Sequence, residues 1–140
     1  MNLLTSGYRY MSLNISPELL KQAQAGQVDE EAFVESIKQS LPYAFGVVEN
    51  LTKRLAKGEA FWVEHSVPPP SELERGQLLR MMGSDAIRGA IERYFGIKLA
   101  FQNCHKTAVF RPEDVGSPAY QDFISIKSQI LNQTPELKDC

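Results

Sequence analysis

The chain has 140 residues, 43% of them apolar and 23% charged, with a net charge of −2. That length and balance suit one domain with its own core. They exclude a disordered chain, which would carry fewer apolar residues and more net charge. No apolar run approaches the roughly 18 residues of a membrane-spanning helix. Met1–Met11 lacks the basic and apolar regions of a signal peptide, so a cytoplasmic protein without a membrane partner is expected.

Residues 1–15 read as a partly disordered extension, with Met11 as an alternative start. Ser16-Pro17 is an N-cap followed by proline at the first helical position, where its missing N–H costs nothing. Gly26 stops that helix, and Asp29 caps the next, whose stripe is Phe33, Val34, Ile37 and Leu41. Pro42 either kinks this helix or opens a new one with Ser40 as cap. Beyond it, apolar residues from Ala44 to Leu55 recur at helical spacing, and Gly58 ends the run.

The pattern then alternates over residues 59–65, with Phe61 and Val63 on one face, which predicts a strand. Pro68-Pro69-Pro70 forces an extended connection. Ser71 with Glu74 is a capping box. It starts a helix that stops at Gly83, and Ser84 caps another that ends at Gly96. Alternation resumes at Ile97, and a loop at Asn103–Lys106 leads into Thr107–Arg111, a β-hairpin. Ser117-Pro118 opens a last helix with a seam of Tyr120, Phe123, Ile124, Lys127, Ile130 and Leu131. The fold expected is α+β, with five or six helices packed on one face of a small antiparallel sheet that contains this C-terminal-half hairpin. The domain spans 16–133, and 134–140 is a polar tail.

Charge is unevenly spread. Residues 75–111 carry seven basic side chains (Arg75, Arg80, Arg88, Arg93, Lys98, Lys106, Arg111) and two acidic ones (Asp85, Glu92). This block of +5 lies between flanks of −4 and −3. Two short helices joined at Gly83-Ser84-Asp85 and followed by a hairpin share the element order of a winged helix-turn-helix over 74–111. The whole-chain pI of about 5.7 weighs against a dedicated nucleic-acid binder.

Motifs for catalysis are absent: no GxGxxG, no phosphate-binding GxxxxGK[ST], no GxSxG and no HExxH. Cys104-His105 has the residue types of an activated thiolate, but neighbours on a strand point to opposite faces. Cys104, His105, His65 and Cys140 lack zinc-ligand spacing, and no cofactor is expected. Glu30-Glu31 and Glu72/Glu74 sit at helix starts, where the macrodipole accounts for them.

The function expected is therefore non-enzymatic. The chain reads as a small accessory or regulatory protein that binds another protein or a second copy of itself. The residues for that contact are Arg75, Arg80, Arg88, Arg93, Lys98 and Trp62, of which the arginines and the tryptophan are types enriched at interface hot spots. The alternatives are a nucleic-acid binder using 74–111, and a small enzyme using Cys104, His105 or His65.

Overall fold

A computed structural model describes residues 13–102 and 106–133. It contains α1 (Pro17–Gln24), α2 (Glu30–Ser40), α3 (Pro42–Ala56), β1 (Val63–His65), α4 (Glu72–Gly83), α5 (Asp85–Phe95), β2 (Lys98–Gln102), β3 (Lys106–Phe110), α6 (Pro118–Phe123) and α7 (Ile126–Leu131). A 3₁₀ turn, Pro112–Asp114, precedes α6. The expected α+β architecture, with helices on an antiparallel sheet containing a C-terminal-half hairpin, is what forms.

Local chemistry sets most helix starts. The side chains of Ser16, Asp29, Ser71, Ser84 and Ser117 accept backbone N–H groups in the first turns of α1, α2, α4, α5 and α6. Each satisfies a donor that the helix itself leaves unpaired. Gly96 ends α5 in the left-handed region, at φ 68°, a conformation that glycine adopts without steric penalty.

Pro42 opens a new helix. Leu41 holds the N-cap position and offers no side-chain acceptor, while Ser40 ends α2. The acceptor comes from α4: Oε1 of Gln77 receives the N–H groups of Tyr43 at 2.7 Å and Ala44 at 3.2 Å. Gln77 is itself buried, so its polar end is satisfied by the helix start that it completes.

The sheet has order β1-β3-β2, antiparallel throughout. Val63, Val109 and Leu99 stand opposite one another across the three strands. This row faces the main core, which α2–α5 complete with Ile37, Val48, Leu51, Leu78, Met81 and Ile91. The next row, Glu64, Ala108 and Ala100, belongs to the opposite face. Its two alanines leave room for a smaller cluster that includes Phe110 and Phe123, with Trp62, Ala119 and Tyr120 packed against it.

Three details differ from the sequence reading. The first strand covers only Val63–His65. The Phe61 carbonyl accepts from Nη1 of Arg111 at 3.2 Å, outside the strand ladder. Phe61 is 84% exposed while Val63 is buried, so the two do not share a face. The last helix is two helices, because Ser125 caps a new start at Ile126. That break ends the single helical period: Phe123 is buried, whereas Ile124, Ile126, Ile130 and Leu131 are exposed. Helices also cover both faces of the sheet, α6 lying opposite α2–α5.

Candidate functional site

The cations of residues 75–111 lie on α4, α5 and the hairpin, and internal partners hold them. Arg75 pairs with Glu72 one turn back on α4, and its side chain is only 13% exposed. Arg88 pairs with Asp85 at 2.6 Å and donates to the Met82 carbonyl at 2.6 Å. It thus latches the start of α5 to the last turn of α4. Nε of Arg93 donates to both carboxylate oxygens of Glu30, at 3.1 and 2.8 Å, and ties α5 to α2.

That last bond sets the acidity of both partners. Hydrogen bonding to Arg93, with its charge, holds the Glu30 carboxyl below the usual range. The same bond and charge raise Arg93.

The remaining basic groups follow suit. Lys98 sits 3.5 Å from Glu92, which also accepts the N–H of Leu99 at 2.9 Å. Lys106 lies 3.8 Å from Glu64. Arg111 donates to the carbonyls of Phe61 and Leu55, both at 3.2 Å. Arg80, on α4, is likewise engaged within the molecule. Glu30, Glu64 and Glu72 belong to the acidic flank of the sequence. Folding lays part of that flank onto the basic block, and the excess of +5 is not displayed as one free surface.

Trp62 lies at the other side of the sheet, away from the arginines of α4 and α5. Its indole stacks on Phe110, with ring centroids 5.0 Å apart and planes 13° apart, and meets the edge of Phe123 at 5.8 Å. Two depressions open beside it, and Trp62 and Ala119 line both. One, of about 440 Å³, is also lined by Phe61, Phe110, Pro118, Ser117 and Asp114. The other, of about 330 Å³, includes Glu64, Gln102, Lys106, Asp122 and Leu131.

Gln102 fixes this region. Its Nε2 donates to the Phe123 carbonyl at 2.7 Å and its Oε1 accepts from Asn132 at 2.9 Å, which fastens α6 and the end of α7 to β2. Sequence reading assigned no binding role to Phe61, Asp114 or Ala119. The available signal was the pair Ala100 and Ala108, small residues on one sheet face that make space for aromatic ones.

His65 ends β1, half-buried and opposite Thr107. Cys104, His105 and Cys140 lie outside the described residues. Among the described residues no three His, Cys, Asp or Glu side chains form a group able to hold a metal. No described helix is long and apolar enough to cross a membrane.

Residues 11–140 match the family model KH_NucS_shadow, described as NucS shadow ORF. The chain belongs to this family. No curated protein and no solved structure matches it. The match to the NucS shadow ORF family takes in every element of the described fold, so the arginine-bearing helices and the Trp62 region are both parts of the family's domain.

Proposed function

We propose that this chain acts by binding another protein, through the side of the sheet that carries Trp62, α6 and α7. The observation that carries this reading is the apolar surface left open there: Phe61 is 84% exposed, Ile126 80%, Ile130 62% and Leu131 60%. Single exposed apolar residues need no explanation. Here Phe61 and Leu131 border adjoining depressions beside Trp62, and Ile126 and Ile130 are exposed on the same short helix as Leu131, a concentration that favours an interaction site.

The KH label of the family favours a second reading. KH modules grip the backbone of single-stranded nucleic acid with a GXXG loop. No two glycines of this chain stand three apart. The turn between α4 and α5 reads Gly83-Ser84-Asp85-Ala86, and the Asp85 side chain is 95% exposed there. That carboxylate is paired with Arg88 at 2.6 Å, so the turn offers an approaching phosphate no net positive charge. Phosphate contacts dominate nucleic-acid affinity, and the neighbouring guanidinium of Arg88 already has two partners. A fold can keep its form while its site changes.

Two measurements on the full chain separate the readings. Fluorescence anisotropy with labelled 20-nucleotide single-stranded RNA and DNA is expected to show no saturable binding at physiological salt. Cross-linking in native extract, with wild type and a Phe61→Ser/Ile126→Ser variant, is expected to give a discrete protein adduct that the variant loses. Tight, steeply salt-dependent oligonucleotide binding, lost in Arg80→Glu or Arg88→Glu, would overturn the protein-binding reading in favour of the 74–111 segment.

A further inference from the structure

We infer that the two depressions beside the Trp62–Ala119 ridge receive an extended, cationic segment of a partner protein, apolar side chains alternating with arginine or lysine. This rests on the protein-binding reading and adds the chemistry of what is bound.

Shape comes first. Both depressions are open, and they adjoin because Trp62 and Ala119 belong to each. An extended chain sends alternate side chains to the same side, about 7 Å apart. Such a chain crossing the ridge places one side chain on either side of it. The 440 Å³ depression has aromatic walls in Phe61, Trp62 and Phe110, which suit an aliphatic side chain or proline. Its apolar character also makes a free, strongly hydrated anion a poor occupant.

Charge selects the sign of the partner. Asp114 lines the first depression and Glu64 and Asp122 the second, against one cation, Lys106. Asp114 makes no ion pair among the described residues, and its neighbour Glu113 makes none either. Asp122 meets only Lys127, at 3.7 Å, with both side chains more than half exposed, a contact that exchanges readily with water. Glu64 has Lys106 at 3.8 Å, so the rim keeps a net negative charge through Asp114, which is unpaired among the described residues, and Asp122, whose contact is loose. An arginine that reaches this rim gains a carboxylate and an exposed aromatic face together. A polyanion gains neither.

The chain has one tryptophan, so Trp62 fluorescence reports on the groove alone. The test is selection of a random, tryptophan-free peptide library displayed on phage against the full chain, followed by synthesis of the enriched peptides. Enriched sequences are expected to place Arg or Lys beside apolar residues and to shift Trp62 emission saturably. Affinity should fall at least tenfold in Phe61→Ser and in Asp114→Lys/Asp122→Lys. Phe61 and Asp122 are exposed and Asp114 is half-buried, so the variants should fold, as circular dichroism will verify. The inference is overturned if enriched peptides are neutral or acidic, if they bind all variants equally, or if nothing is enriched. It is also overturned if sedimentation shows a two-copy assembly that Phe61→Ser dissolves, the groove then being filled by a second copy. In each of these cases a protein adduct in extract would leave the broader reading standing, whereas oligonucleotide binding would remove both.

Discussion

On the α2–α5 side of the sheet, most large apolar residues are buried and the arginines have close partners; on the α6–α7 side, isoleucines face water and the acids are unpaired among the described residues, as at Asp114, or only loosely paired, as at Asp122. Both sides are made of the same residue types. What differs is how many elements meet there. Four helices converge on the first side, so Ile37, Val48, Leu78 and Ile91 are all fully buried, and acids from α2 and α4 reach arginines on α4 and α5. Two six-residue helices cover the second. They bury Phe123 and little else, because an element of under two turns has only one or two positions that face the sheet. The first side holds the fold together, and the second has surface left over for recognition.

The largest test of that contrast is Ile91→Ala, which removes a fully buried side chain from the main core. It should cost about 2–5 kcal/mol, read as a lower urea midpoint with an unchanged slope. A shift near zero would mean that the helical side is not the stabilising one.

Gln77→Leu comes next. It keeps the volume but strands the N–H groups of Tyr43 and Ala44, at an expected cost of about 1–3 kcal/mol, read by the same denaturation. Ile126→Ser/Ile130→Ser, on the opposite side, should change stability by no more than about 0.5 kcal/mol per site, while it abolishes the cross-linked adduct. A large loss of stability there would mark α7 as structural and break the comparison.

The smallest effect belongs to Arg93→Met. Glu30 should then titrate upward, back to the usual carboxylate range, when followed by NMR. In the wild type its depressed pKa adds stability above the ordinary glutamate pKa near 4.5, and that contribution disappears as pH falls through the lower folded-state value. The variant should lack this acid-limb dependence and otherwise melt like the parent.

The helical side was well announced by sequence. Each of its starts but one has a capping side chain at the expected place, and apolar residues at 3.6-residue spacing fell on buried faces. Val48 and Ile91 are examples. The α6–α7 side was misread for a local reason. Phe123, Ile124, Ile130 and Leu131 suit a continuous seam, and the seam dissolves once Ser125 is recognised as a second cap. Phe61 was misplaced because alternation over 59–65 says nothing about where a ladder begins, and that depends on which β3 residues are opposite. The charge of the 75–111 block was visible in sequence, but its neutralisation was not. Glu30 and Arg93 are 63 positions apart, and only packing of α2 on α5 reveals the pair.

The cap supplied by Gln77 has a consequence for how the molecule assembles. Most helices here carry their own start signal in the neighbouring residue, so each can begin to form from local sequence. Helix α3 cannot, because Leu41 offers nothing and the acceptor arrives from a residue more than thirty positions later in the chain. Its first turn is therefore completed only when α4 docks. The two longest helices become one cooperative unit, gaining and losing order together, and the boundary between α2 and α3 is fixed by tertiary structure. A fragment ending before α4 would retain the proline that opens α3 and still leave that end frayed.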